Sequence, residues 1–256
     1  MHLTFRVQHR RVSANEEPVH NSHGIRIAKD LSNTGWNPQQ MLTEPDVTLT
    51  DYGLAIECAL FTYLIYHRRN QQHPLRIWLT LFFGSLALSA LTGGTVHGFF
   101  LNGGTTGHTI LWSVSLLSIG ATALAAWAAG AYLVLPQTAA RWVLVFAGAQ
   151  FTVYCVIMLF VTQEFRVAII NYLPATIFLF IAFSLRYIQA REREVLVGLV
   201  GLLLTFVAAG IQQAKIALHP VYFDHNALYH LIQGTAVLMI FWGARWIVTA
   251  KTTSRR

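Results

Sequence analysis

The sequence predicts an all-α fold, a bundle of seven transmembrane helices with a non-cytoplasmic N-terminus and a cytoplasmic C-terminus. Three observations support this prediction. First, 54% of the 256 residues are hydrophobic and only 11% are charged, against roughly 25% charged in an average soluble domain. Second, apolar segments of about 20 residues, the length that crosses a bilayer, recur along the chain. Third, the cations cluster at alternate ends of these segments, as the positive-inside rule requires.

The apolar segments are separated by short polar connections that leave no room for a soluble domain. Seven segments are long enough to span a bilayer, at roughly 50–67, 75–101, 108–135, 140–162, 166–187, 195–218 and 225–249. Residues 1–48 are polar and predict a disordered N-terminal tail. The transmembrane domain is therefore expected at residues 49–250, followed by a basic tail at residues 251–256.

The formal net charge of +7 reflects membrane topology rather than nucleic-acid binding, because the cations lie between apolar segments. One side of the predicted bundle carries Arg68, Arg69, Arg76, Arg141, Arg186, Arg191, Arg193, Arg245, Lys251, Arg255 and Arg256. The other side carries Arg166 and Lys215 near the segment ends. We therefore expect a multi-pass integral protein of a plasma or inner membrane or an endomembrane, with no nucleic-acid partner.

The last apolar segment opens on an unusually polar stretch, FDHNALYHLIQG at residues 223–234. At 1.5 Å per residue, His97 and His230 lie on the order of 6 to 8 Å below the non-cytoplasmic surface. Ionisable groups inside a bilayer are costly unless they are paired or bind a ligand. The presence of two histidines at one depth therefore predicts a functional site at this level of the membrane. The other polar residues that reach it or its rim include Asp51, Glu57, His108, Gln212, Asp224 and His225.

Three histidines at this level, His97, His225 and His230, are the predicted metal ligands. Three imidazoles with an open fourth position are typical of a catalytic Zn²⁺ site. For any single histidine, the alternative is an interhelical hydrogen bond. Residues four apart share a helix face, so Asn226 and His230 point the same way and Gln233 follows. His225 lies about 140° round the helix from His230, so it joins the site only if the first turn is distorted or if it precedes the helix.

A zinc site inside a membrane predicts a lipid amide or ester as the substrate, with a zinc-activated water attacking its carbonyl. A carboxylate would carry the proton from the water to the leaving group. Glu57 is the first candidate because it lies deepest in the membrane. Asp51 and Asp224 are also candidates, although Asp51 suits the solvated start of a helix and Asp224 suits an N-cap. Candidate substrate-binding or supporting residues are Ser89, Asn226, Gln212 and Gln233.

The predicted architecture, the histidine late in the second segment and NALYHLIQG in the last resemble the alkaline ceramidases and the wider CREST superfamily, which includes the progestin and adipoQ receptors. The resemblance implies a zinc held by one histidine of helix 2 and a His-x-x-x-His pair of helix 7. The helix 2 position falls on His97. The two helix 7 positions fall on Asn226, with His225 beside it, and on His230. The family's helix 2 serine corresponds to Gly93, and its loop aspartate lies near His108, whose imidazole could serve as the acid or base.

Two other classes of function remain open from the sequence. Histidines on facing helices could bind haem in an electron-transfer protein, although such ligands are usually spaced through the bundle rather than gathered at one rim. A noncatalytic receptor or transporter is the other alternative. Lys215 could form a retinal Schiff base, but its position near a helix end favours a side chain that reaches to the interface.

Overall fold

The computed structural model describes residues 42–67, 74–219 and 222–249. The predicted N-terminal tail up to residue 41 and the basic tail at residues 251–256 lie outside the described residues, as do Arg68 and Arg69. Within the described ranges the chain is all-helical, as predicted. Its helices are α1 (Pro45–Tyr66), α2 (Pro74–Phe99), α3 (Thr106–Val134), α4 (Gln137–Phe160), α5 (Phe165–Ala190), α6 (Arg193–Gln213) and α7 (His225–Thr249).

Six of the described helices, α2 to α7, are long and apolar enough to cross a membrane. The first helix, α1, has 22 residues but carries Asp46, Asp51 and Glu57, which lower its hydropathy. It packs against both α2 and α7. The fold is therefore that expected of a helical integral membrane protein.

Of the described helices, six form a ring in the order α1, α2, α3, α5, α6 and α7, and α7 packs back on α1. The remaining helix, α4, lies outside the ring against α3. Its outer face is strongly apolar and exposed, with Trp142, Val145, Phe146, Val153, Val156, Leu159 and Phe160. Such a face suits contact with lipid tails, while the ring encloses the space in which a site can form.

Two helix ends differ from the sequence prediction. The first helix begins at Pro45 rather than near residue 50, because proline has a suitable φ for the first turn of a helix and its polar neighbours lower the local hydropathy. The sixth helix ends at Gln213 rather than near residue 218. There Lys215 adopts a left-handed conformation with φ of 54°, which stops the helix although the following residues are apolar.

Aromatic packing fills the half of the bundle that contains the C-terminal ends of α1 and α7. Phe61 of α1 stacks on Phe241 of α7, with ring centroids 4.1 Å apart. Phe83 of α2 contacts both rings edge-on, at 5.7 and 5.9 Å. Edge-on and offset ring contacts are the favoured arrangements of aromatic pairs, so this half of the bundle is tightly closed and the open space lies at the other end.

Candidate functional site

A cavity of about 350 Å³ lies inside the ring. All six ring helices line it, and of the described helices α4 alone does not. Its walls are mainly apolar, with leucine, isoleucine, alanine and aromatic side chains on α2, α3, α5 and α6. Its volume falls in the range of small-molecule sites.

The carboxylate, imidazole and amide side chains of the lining gather where α1 and α7 begin and α2 and α6 end. They are Asp51 of α1, His97 of α2, Gln212 and Gln213 of α6, and Asn226, His230 and Gln233 of α7. The arrangement joins an apolar body to a polar end, as a lipid with a polar head group would require.

The shortest ionisable contact inside the cavity joins Asp51 and His230. The Asp51 Oδ1 atom lies 3.3 Å from His230 Nε2, and Asp51 is only 4% exposed. A charged carboxylate buried in a membrane bundle is costly without a partner. Asp51 Oδ1 and His230 Nε2 are close enough to share a proton, and the two groups form the centre of the candidate site.

The buried stripe of α1 explains why Asp51 faces inward. Its buried residues recur every three or four positions, at Val47, Thr48, Asp51, Leu54, Ala55, Cys58, Phe61 and Ile65. This is the spacing of one helix face, and Asp51 occupies a core position of that face. Asp51 is therefore not at a solvated helix start, which was the alternative considered from the sequence.

Two glycines of α2 leave the space that Asp51 fills. A Cβ atom on Gly94 would lie 2.7 Å from Asp51 Cβ, and one on Gly93 would lie 3.7 Å from Asp51 Oδ2. These small residues therefore let α1 and α2 approach closely. Gly93 is also the position at which the resemblance expects a serine, so the Asp51 carboxylate of α1 lies beside the place where that hydroxyl would be.

Both cavity histidines are held through their Nδ1 atoms. His97 Nδ1 lies 2.5 Å from Glu44 Oε2, and His230 Nδ1 lies 3.4 Å from Thr50 Oγ1. Metal-binding histidines commonly donate one ring N–H to such an outer group and bind the metal through the other nitrogen. Glu44 and Thr50 each contact Nδ1, so Nε2 is the ring nitrogen that would bind a metal.

The donor types fit zinc, which is bound by histidine nitrogens and carboxylate oxygens. His230 and Asp51 already adjoin, and His97 lines the same cavity. As placed, no three histidine, cysteine, aspartate or glutamate side chains within the described ranges form a metal-binding group. Zinc would therefore require the side chains of His97, His230 and Asp51 to close further on one point.

His225 is placed apart from this centre. It is the first residue of α7 and is not among the cavity-lining residues, and its Nδ1 lies 3.7 Å from Asp224 Oδ2. Asn226 lines the cavity instead and accepts a hydrogen bond from Gln212 Nε2 at 3.3 Å. The first turn of α7 is a regular helix that includes His225, so neither condition for His225 to join His230 is met. Asn226, His230 and Gln233 share the inner face instead.

Three of the predicted acid or base candidates lie away from the cavity lining. Glu57 lies beside Gly234, where a Cβ would be 3.1 Å from its Oε2 atom. His108 Nδ1 lies 2.7 Å from the Phe100 carbonyl oxygen. Asp224 caps α7, because its Oδ1 atom accepts from the backbone N–H groups of residues 226 and 227 at 2.8 and 2.9 Å. Asp51 is thus the predicted catalytic residue that the structure brings to the cavity.

The supporting candidates Ser89, Gln212 and Gln233 all line the cavity. Ser89 Oγ lies 3.1 Å from Ser115 Oγ of α3, so its hydroxyl joins α2 to α3. Gln233 is 4% exposed, and its Oε1 atom has no hydrogen-bond partner among the described residues. The sequence gives no reason to single out Glu44 or Thr50, since both sit in an ordinary polar helix start.

The fold and the site define a helical membrane protein with a ligand-sized cavity that is apolar along its length and polar at one end. The chain belongs to a family of unknown function, DUF6962, which matches residues 47–248. The match contains all the cavity-lining residues and begins after Glu44. No curated protein and no solved structure matches the chain significantly.

Proposed function

We propose that the protein is an intramembrane zinc-dependent hydrolase that cleaves an amide or ester of a lipid. The observation that carries this proposal is the cavity, whose apolar body ends beside Asp51, His97 and His230. The resemblance to the alkaline ceramidases supports the same reaction class, because two of its metal-ligand positions fall on these two histidines.

The cavity supports a lipid rather than a water-soluble substrate. Its apolar walls suit an acyl chain, which exchanges one apolar environment for another when it enters from the bilayer. Leu173 of α5 lines the cavity and is 44% exposed. We propose that a lipid enters beside α5 from within the membrane and that its carbonyl meets the polar end.

His97, His230 and Asp51 are the residues that would hold the zinc. When bound, Zn²⁺ polarises a carbonyl and supplies a hydroxide near neutral pH. Two imidazoles and one carboxylate form a known catalytic ligand set that leaves a position open for water. Asn226, at the third ligand position implied by the resemblance, then serves to hold Gln212 rather than the metal.

The remaining residues of the polar end would handle the proton and the substrate oxygen. Asp51 has one oxygen, Oδ1, beside His230 and the other, Oδ2, facing Gly93. If Oδ1 held the metal, the free Oδ2 would be the oxygen placed to take a proton from water and to pass it to the leaving nitrogen or oxygen. Gln212 donates one Nε2 proton to Asn226 and keeps its second for the substrate oxygen.

We propose seven spans with the polar end of the cavity on the non-cytoplasmic side. The packing of α1 between α2 and α7 supports a membrane position for α1 despite its three acidic residues. The orientation rests on the cation count, because Arg76, Arg186, Arg193 and Arg245 all belong to the end of the bundle opposite Asp51. The positive-inside rule assigns that end to the cytoplasm.

Metal analysis of the purified protein tests the proposal. We expect stoichiometric zinc in the parent and a loss of zinc affinity above about 100-fold in His97→Ala and His230→Ala, since even outer-shell groups contribute 10–100-fold. His108→Ala is the control, because His108 lies outside the cavity lining and should keep its zinc. Released fatty acid from lipid amides and esters should fall with the zinc content.

Two results would overturn the proposal. The first is a failed zinc test: the parent protein contains no zinc, or both histidine variants retain it. The other is an intense Soret absorption band, which would favour the haem alternative. Zinc binding and lipid binding without release of fatty acid would instead favour a noncatalytic receptor. Lys215, which could form a Schiff base in a receptor, follows the end of α6 and does not line the cavity.

A further inference from the structure

The three residues that precede α1, Leu42 to Glu44, lie along the last turn of α2. We refer to them as the strap. The Thr43 backbone N–H donates to the Gly98 carbonyl at 3.1 Å, and the Thr43 hydroxyl donates to the same oxygen at 3.3 Å. Gly98 favours this approach, because a Cβ there would lie 2.9 Å from Leu42 Cδ2 and 3.0 Å from the Thr48 side chain. The strap is therefore fixed to α2 one residue beyond His97.

This attachment places the Glu44 carboxylate against the His97 ring, with Oε2 2.5 Å from Nδ1. The two side chains are 33% and 24% exposed. A rim ion pair of this exposure would add little stability. The contact bears more directly on the tautomer, because in a neutral imidazole an acceptor at Nδ1 holds the single ring proton there and the lone pair is then on Nε2.

We propose that Glu44 is a positioning residue that fixes the tautomer and ring orientation of His97, so that Nε2 is presented to the cavity. Glu44 itself is not part of the cavity lining and touches no reacting atom. Its importance for catalysis rests on the proposed function, whereas its control of the His97 tautomer does not.

Thr50 contacts the second histidine in a comparable way. Its hydroxyl donates to the Asp46 carbonyl at 2.8 Å, which leaves an oxygen lone pair directed to accept from His230 Nδ1 at 3.4 Å. Both cavity histidines thus have an acceptor at Nδ1, one strong and charged, the other long and neutral. Loss of the charged contact is expected to have the larger effect.

The test uses full-length protein with ¹⁵N-labelled histidine and compares the parent with Glu44→Ala and Glu44→Gln. We expect the parent His97 ring to show the Nδ1–H tautomer by NMR and to lose this preference in Glu44→Ala. Zinc affinity, measured by competition with a chelator, should fall about 10- to 100-fold. Glu44→Gln should show a smaller loss, since its amide oxygen still accepts from Nδ1.

Gly98→Ala provides an independent variant that keeps Glu44. The added methyl group should displace Leu42 and Thr48, loosen the strap and shift the His97 tautomer in the same direction. Glu164→Ala is the control, because Glu164 pairs with Arg166 in an exposed turn. An unchanged His97 tautomer in Glu44→Ala, or an equal change in Glu164→Ala, would overturn the proposal.

The two proposals fail in distinguishable ways. A parent that binds no zinc, with a His97 tautomer that still depends on Glu44, would end the hydrolase proposal and support the positioning role. A zinc-containing, active parent whose tautomer and zinc affinity are unaffected by Glu44→Ala would end the positioning role alone.

Discussion

Asp51 is the residue on which the proposed chemistry depends most. It lies in the buried stripe of α1, 3.3 Å from His230, at a place where α2 has glycine instead of a side chain. A carboxylate at a core position of a membrane bundle costs free energy unless it is paired. Its presence there therefore points to a function. Its close packing against Gly94 means that α1 and α2 are shaped around it.

We therefore predict that Asp51→Asn lowers kcat/KM for lipid hydrolysis by about 100-fold or more, since a positioned proton-transfer group contributes about 10²–10⁴-fold. The substitution keeps the side-chain volume, so the packing against Gly94 should survive. Glu57→Gln is the matched control on the same helix and should leave the rate unchanged. Equal losses in the two variants, measured by fatty-acid release, would contradict the assignment of Asp51.

At the residue scale the sequence predicts the cavity face of α7 but not the choice among carboxylates. Spacing of three and four places Asn226, His230 and Gln233 on one face, and the structure has all three in the cavity lining. Glu57 is favoured over Asp51 when only depth along the helix is counted. The helical phase of the apolar residues in α1 distinguishes them. Seven residues, close to two turns, separate Asp51 from the buried Cys58, whereas Glu57 directly precedes Cys58 and lies about 100° round the helix from it.

At the element scale, hydropathy predicts the helices well and their arrangement poorly. The most apolar stretches of α4 and α6 have mean hydropathies of 2.2 and 2.3, yet 17% of the first and 33% of the second is buried. Lipid and protein interior are equally apolar, so hydropathy cannot show that α4 lies outside the ring. Helix ends are also missed where a polar first turn or a left-handed residue sets them.

The contact between α6 and α7 provides a prediction for the ring itself. A Cβ on Gly201 would lie 2.6 Å from the Ala236 carbonyl oxygen and 2.9 Å from the Ile240 backbone nitrogen. Backbone atoms cannot move aside as a flexible side chain can. Gly201→Ala should therefore force the two helices apart and cost about 1–3 kcal/mol, the usual range for overpacking.

Gly210→Ala is the control for this prediction within α6. A Cβ on Gly210 meets nothing within 4 Å, so the variant should keep or raise the stability, by at most about 1 kcal/mol from helix propensity. Thermal unfolding in detergent measures both variants. A lower Tm for Gly210→Ala than for Gly201→Ala would show that close packing of α6 on α7 does not limit the stability.

At the scale of the whole molecule, the cavity depends on residues that are far apart in sequence and unremarkable one by one. The polar level predicted from the sequence accounts for its polar end. Its body is built mainly from leucine, isoleucine, alanine and aromatic side chains, with a few serine and threonine hydroxyls, and such apolar residues also contact lipid on the outside. Only the ring arrangement of six helices decides which of these side chains face inward, and that arrangement is not contained in any one segment.

The length of the cavity gives the last prediction. Along α2 the lining runs from His97 to Leu86, about 16 Å at 1.5 Å per residue. Ala209 of α6 lines the cavity between its polar end and the deeper Thr205. A phenylalanine at position 209 would obstruct the body while leaving Asp51 and His230 unchanged. Ala209→Phe should therefore raise KM for long acyl chains and have little effect on short ones.

Val207→Phe is the matched control, because Val207 lies on the same helix, is 49% exposed and is not in the lining. The measurement is kcat and KM for a series of lipid esters and amides of graded chain length. A length-dependent effect confined to position 209 would place the acyl chain in the ring cavity. If both variants shift the whole series equally, the chain lies elsewhere, and the apolar body of the cavity has a purely structural role in separating the helices.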